Sequence, residues 1–321
     1  MVQLEFITEP VILQLLTPAR ATAAITDALV SGLDPASDTA RGVLPLSAGQ
    51  FLIMPAEAAS HAGVKVATVA PDNPNRGLAR IQALYLLFDA ATLTPQAVLD
   101  GTALTTLRTP AVSIAAILPV LTQRSTPLKL AVFGAGQQGV GHVETISGVM
   151  EGQRKIDSVT YIVRNPQRVN VPPSAAGEVV ALGSPAAASA VAAADVVVCA
   201  TSASEPLFDS DVLRPDAIVV AVGSHEPHVR EVDAALCGRA QVVVEDVSAA
   251  LRESGDVILA IEEGTLDQAD LIPMKEVVRG NIALDPQRLV LFKSSGMSWE
   301  DLVIARAVVQ AAESNILTQQ R

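Results

Sequence analysis

LKLAVFGAGQQGVGHVETISGVM, residues 128–150, joins a short apolar run to a longer amphipathic one through a glycine turn. LKLAVFG reads as a strand and QGVGHVETISGVM as a helix. Gly134, Gly136 and Gly139 stand between them in G-x-G-x-x-G spacing. The first permits a tight turn, the second lets backbone approach a pyrophosphate, and the third allows close packing of helix on strand. The turn residues Gln137 and Gln138 open the helix, whose N-terminal N–H groups suit an anion. The motif is weak alone, but here it has the strand before it and the helix after it.

Working outward, SVTYIVRN reads as the next strand, PAAASAVAAA as a helix, and DVVVCAT, AIVVAVG and AQVVVED as near-continuous apolar strands. That alternation is the signature of an α/β fold with a doubly wound parallel sheet, a Rossmann-type dinucleotide-binding domain over residues 121–297. Residues 1–120 differ. GQFLIMPA, GVKVATVAP and LYLLFDAATLTPQAVLD suggest an antiparallel sheet with hairpin turns, followed by a helix through GTALTTLRTPAVSIAAI. A mixed α+β domain is expected there, with the boundary in the polar, Pro-terminated LTQRSTP and the domain completed by a C-terminal helix over 298–321.

Of 321 residues, half are hydrophobic and 17% charged, yet no run of eighteen apolar residues escapes interruption by Gly, Pro or charge. No membrane-spanning helix is expected, and the acidic N-terminus does not resemble a secretory signal, so a cytoplasmic protein is expected. A formal charge of −12 argues against nucleic acid or anionic membrane as partner. Cys199 and Cys237 lie in apolar surroundings without metal-ligand spacing.

Several residues are candidates for chemistry. An NAD-preferring site carries an acid at the end of the second strand, whereas YIVRNPQR offers Arg164 and Asn165, with Arg168 nearby. NADP(H) is therefore favoured as cofactor, with NAD(H) the alternative. Thr201 and Ser202 follow a strand end where adenosine or ribose contacts fall in this fold. Lys65, within the alternation VKVATV, is expensive to bury without an anionic partner. Arg108, within ALTTLRTPAV, calls for a carboxylate or phosphate to take its planar donor fork. Each is equally readable as a snorkelling side chain or half of a structural ion pair. His225 and His228, in AVGSHEPHVREVD, lack the helical face that aims two rings at one ion, so no metal is expected.

LIMPA, GVKVATVAPDNPNRGL, LFDAATLTPQAVLDGTALTTLRTPAV, AVFGAGQQG, CATSASEP, VGSHEPHVREVD and FKSSGMSWED occur in the order and nearly the spacing of the ornithine cyclodeaminase/μ-crystallin family. The chain resembles that family over about residues 40–305. The resemblance implies hydride passage between a nicotinamide and the α-carbon of an imine or amino acid, in a homodimer formed through the first domain. It assigns Lys65 and Arg108 to the substrate, Arg108 on its carboxylate, with Arg41 a third basic contact. Lys65 is also expected to give a proton to the substrate nitrogen. Ser294 and Gly296 match a turn that approaches the nicotinamide and substrate. His225 stands where the cyclodeaminase branch carries an aspartate acid/base. The implied function is reduction of a cyclic or N-alkyl α-imino acid, such as Δ1-pyrroline-2-carboxylate to proline. The alternatives are ornithine cyclodeamination, an alanine-dehydrogenase-like reaction, and non-enzymatic binding of a small molecule.

Overall fold

The computed structural model describes residue 4 and residues 6–319. The chain divides into two compact units, Met1–Thr109 with Met297–Arg321, and Pro110–Gly296. The division falls inside a long helix, ahead of the polar segment 121–127 where the sequence suggested it.

The first unit opens with β1 (Phe6–Ile7), α1 (Glu9–Leu15) and α2 (Pro18–Val30). Its sheet adds β2 (Gly42–Leu46), β3 (Gly49–Ala58), β4 (His61–Val69), β5 (Ile81–Asp89) and β6 (Pro95–Asp100), in the order β1-β6-β5-β4-β3-β2. All neighbours are antiparallel except the short β1, which pairs parallel to β6. Strict alternation along β4 buries Gly63, Lys65, Ala67 and Val69 on one face. Leu52, Met54 and Ala56 of β3 and Tyr85 and Leu87 of β5 are buried in the same alternating way.

Helix α3 (Gly101–Leu121) follows and runs through Pro110 and Pro119. By length and composition alone it is apolar enough to cross a membrane, although Arg108, Pro110 and Pro119 interrupt it. Its most apolar window is nevertheless 78% buried within the protein, as a core helix is.

The second unit is the expected parallel sheet. It contains β7 (Leu128–Phe133), α4 (Gln137–Met150), β8 (Ile156–Val163), β9 (Glu178–Ala181), α5 (Pro185–Ala193), β10 (Val196–Cys199) and β11 (Ile218–Ala221). The chain continues through α6 (Ala234–Arg239), β12 (Gln241–Val244), α7 (Val247–Glu253), α8 (Gly255–Glu262), β13 (Ile272–Pro273), α9 (Met274–Val278) and β14 (Val290–Lys293). Strand order is β13-β12-β14-β11-β10-β7-β8-β9, all parallel. From β7 the chain winds outward through β8 and β9, then returns to β10 on the other side. That reversal makes the ends of β7 and β10 the switch point where such sheets bind ligands. Helix α10 (Ser298–Gln319) then returns to the first unit, against β3, β4, β5 and α2.

His142, on the buried side of α4, was not singled out by sequence. Its Nδ1 lies 2.7 Å from the Gln138 carbonyl, which only accepts, so Nδ1 carries the proton and Nε2 accepts from Ser113 Oγ at 3.0 Å. Burial holds its pKa down to about 4, against the pull of the Gln138 carbonyl. Between that value and about 6.5 the unfolded chain binds a proton that the folded chain does not, so this group's contribution to stability falls as pH drops through the window. His142→Gln is expected to flatten the acid side of a urea-stability profile by up to ~3 kcal/mol. An unchanged slope would mean that the folded protein accommodates the imidazolium.

Candidate functional site

The glycine turn divides its labour as the spacing implied. Gly134 has φ +93°, and a Cβ there would meet the Ala200 carbonyl oxygen at 2.5 Å. At Gly139 a Cβ would stand 2.0 Å from the Gly134 carbonyl oxygen. Gly136, the N-cap of α4, has open space where its side chain would be. A phosphate can therefore approach the helix N-terminus, and the residues present fit a dinucleotide. Gln137 and Gln138 form the first helical positions of α4.

Beside this turn lies a cleft of about 400 Å³, lined by Gly134 after β7, Thr201 and Ser202 after β10, and Arg164, Asn165 and Arg168 after β8. Among the described residues no acid lines it. Arg164 and Arg168 are exposed, so their charge is presented to whatever enters.

The loop carrying the two histidines follows β11. Glu231, fully buried, accepts from Thr201 N at 2.8 Å, Thr201 Oγ1 at 2.7 Å and Gly223 N at 2.7 Å. Burial pushes its carboxyl up despite Lys293 and these donors. Asp233 caps α6 and accepts from Ser210 N and Oγ. His225 is half-buried; His228 is exposed, with Nε2 3.3 Å from Glu226. Among the described residues no cluster of three His, Cys, Asp or Glu suits a metal ion. Ser294 and Gly296, assigned together from sequence, share one acceptor in this unit. Ser294 Oγ donates to Glu245 at 2.7 Å and Gly296 N at 3.1 Å.

In the first unit, Lys65 from β4 and Arg108 from α3 converge on adjacent carboxylates in the first turn of α10. Lys65 Nζ donates to Asp301 Oδ2 at 2.7 Å and to Thr105 Oγ1 at 3.3 Å. Arg108 Nη1 donates to Glu300 Oε2 at 2.6 Å, and its Nε lies 3.9 Å from Asp301 Oδ1. Asp38 receives Ser298 N and Trp299 N, fixing the start of α10, while Glu300 Oε1 accepts Met297 N. Both acids are 0% exposed, favoured by the helix N-terminus as well as by the cations. Burial lowers the Lys65 pKa to about 8; Asp301 opposes that fall and Arg108 adds to it. Arg41 immediately precedes β2 and is half-buried. Gly42 pairs with Ile53, next to the Met54 that pairs with Lys65, so Arg41 reaches the same level of the sheet.

Sequence reading missed Glu300, Asp301 and Thr105 as members of this cluster. The available signal was the acidic pair in MSWEDLVIA, two charges opening an otherwise apolar helix.

The switch-point cleft and glycine turn define a dinucleotide-binding protein; the buried cations with their acids define a second polar centre. The profile of the ornithine cyclodeaminase/mu-crystallin family matches residues 14–315, and the chain belongs to that family. The Δ1-pyrroline-2-carboxylate reductase of Bacillus cereus is 32% identical over 272 residues, 81% of each chain. The ketimine reductase mu-crystallin of Mus musculus is 33% identical over 280 residues, 85% of each. The solved Δ1-pyrroline-2-carboxylate reductase of Thermococcus litoralis, in complex with NADH and L-proline, shares the fold. Its TM-score is 0.81 at 24% identity, over 97% of this chain and 98% of that one.

Proposed function

We propose that the chain reduces a cyclic or N-alkyl α-imino acid, with Δ1-pyrroline-2-carboxylate to proline the type reaction, using NAD(P)H. The observation that carries this reading is the convergence of Lys65 and Arg108, both buried, on one pair of acids. When bound, a reduced nicotinamide would supply the hydride that the imine carbon takes up. Arg108 offers a planar donor fork for the substrate carboxylate, oriented by Glu300. Lys65 gives a proton to the imine nitrogen, so the C=N bond becomes CH–NH with hydride and proton both accounted for. Asp301 keeps Lys65 charged in a site that would otherwise neutralise it. Arg41 is a further basic contact for the carboxylate, Ser294 a polar contact for the substrate, and His225 assists proton transfer. An imidazole at position 225 lacks the fixed negative charge that deamination of ornithine requires, which disfavours the cyclodeaminase reading. The names of the B. cereus and mouse relatives support the reductase reading. Following NADPH oxidation against preformed cyclic imines, and against α-keto acids with methylamine, tests it; no turnover with any imine would overturn it.

Dinucleotide contacts in this reading come from Gly134, Gly136, Gln137, Gln138, Gly139, Arg164, Asn165, Thr201, Ser202 and Gly296. Arg164 and Arg168 favour a 2′-phosphate, hence NADP(H). Binding of NADPH is expected to be tighter than that of NADH by on the order of tenfold to a hundredfold, the scale of a hydrogen bond to a charged group. Arg164→Ala should abolish the difference, and equal dissociation constants for the unmodified protein would refute the preference.

A homodimer through the first unit's sheet belongs to the same reading. Ile53 of β3, Val64 and Val66 of β4 and Leu86 of β5 are half-buried in alternation with the buried set, and Leu84 is 49% exposed. An apolar sheet face of that extent asks for a cover, and a second copy presents a matching one. Light scattering at micromolar concentration should give twice the chain mass, and Leu84→Asp with Leu86→Asp the single mass. A monomer in the unmodified protein would count against it. Buried, free Cys199 and Cys237 support a cytoplasmic setting.

A further inference from the structure

Lys293 ends β14 as a wholly buried lysine, and none of the steps above uses it. Its ammonium donates to the Ser224 carbonyl at 2.8 Å and lies 2.6 Å from Ser224 Oγ and 2.9 Å from Asp256 Oδ2. Ser224 Oγ in turn donates a hydrogen bond to Asp256 Oδ2 at 2.6 Å. The other oxygen of Asp256 accepts Glu231 N at 2.7 Å and Val232 N at 3.0 Å. One buried ion pair therefore grips the loop after β11 on both sides of His225, directly at the preceding residue and again at residues 231 and 232. Glu231 extends the grip to Thr201 and Gly223. At Gly223 a Cβ would stand 2.0 Å from the Thr201 carbonyl oxygen, so backbone fills the remaining space.

A buried ion pair is a costly way to obtain stability, since an apolar replacement of similar volume often does as well. What it supplies is directional: fixed donors and acceptors that leave the loop one conformation. A small tilt of the Ser224 peptide would displace the next side chain, and misplacement by about 1 Å costs about a hundredfold where geometry matters. We infer that Lys293, Asp256 and Ser224 form a positioning device that sets the side chain of His225 for proton transfer. This rests on the assignment of His225 as the assisting acid, and the test separates the two claims.

The test is a double-mutant cycle in kcat, with the full-length protein, NADPH and Δ1-pyrroline-2-carboxylate. Ser224→Ala removes one hydroxyl and leaves the Lys293–Asp256 pair, so the fold should persist, as a melting curve will verify. Its kcat is expected to fall about tenfold with KM for the imine and Kd for NADPH unchanged. In a His225→Ala background, Ser224→Ala should have no further effect on kcat, because a positioning residue cannot act through a missing side chain. Ser224→Thr, which keeps the hydroxyl, should recover most of the rate. Additive losses, or a fall shared equally by KM and stability, would overturn the proposal while leaving His225 as acid. If His225→Ala alone leaves kcat within threefold of the unmodified enzyme, both the acid assignment and the positioning device fall.

Discussion

Arg108→Ala should lower kcat/KM for the imine by two to three orders of magnitude, chiefly through KM. A carboxylate anchor acts in ground and transition states alike, and a desolvated charge partner contributes on the order of 2–4 kcal/mol. The same substitution should destabilise the fold. Glu300 is 0% exposed and would lose the guanidinium 2.6 Å away, leaving a buried carboxylate at a cost of about 3–5 kcal/mol. The two losses can be separated. Arg108→Met combined with Glu300→Gln removes both charges, so stability should recover while KM stays high. A folded Arg108→Ala with unchanged KM would take Arg108 out of the substrate site and leave it a structural ion pair.

Lys65→Ala should cost still more in kcat, about 10²–10⁴-fold for loss of a positioned proton donor. Its pH signature is more diagnostic than its size. With a pKa lowered to about 8 by burial, Lys65 is charged below that pH and neutral above it. Imine reduction in the unmodified protein is therefore expected to hold below pH 8 and to fall as pH rises through it. Asp301 is the group that holds the pKa up, so Asp301→Asn should move the alkaline limb to lower pH. The same limb persisting in Lys65→Ala would assign the ionisation to another group.

The glycine turn was legible because each glycine answers a local demand that spacing encodes: a positive φ at Gly134, open backbone at Gly136, contact with the strand end at Gly139. Most strands were legible from alternation or from continuous apolar runs, the four-residue β10, β11 and β12 among them. β9 and β13 were not: β9 offers only Val179 and Val180 as β-branched residues, and β13 is two residues ending in proline. Lys65 and Arg108 stood out because each interrupts an apolar pattern, and the sequence left open whether a ligand anion, a snorkelling position or a structural ion pair would accommodate the charge. It could not supply Asp301 and Glu300, which lie 236 and 192 residues further along the chain. Pairing at that separation is decided by the return of α10 to the first sheet, which no local window records. The unit division inside α3 was hidden for a related reason. A helix that continues through Pro110 gives no turn or linker signal at the point where its surroundings change.

The central claim is reduction of a preformed imine rather than cyclodeamination, and one paired assay bears on it most directly. The purified protein is given Δ1-pyrroline-2-carboxylate with NADPH in one cell and L-ornithine with NAD⁺ in the other, and proline and ammonia are measured in both. Stoichiometric proline and NADP⁺ from the imine, with ornithine turned over slowly or not at all, is the result expected of an enzyme with an imidazole at position 225. Efficient conversion of ornithine to proline with one ammonia released per turnover would contradict it, and would show that His225 or an acid near it performs the deamination.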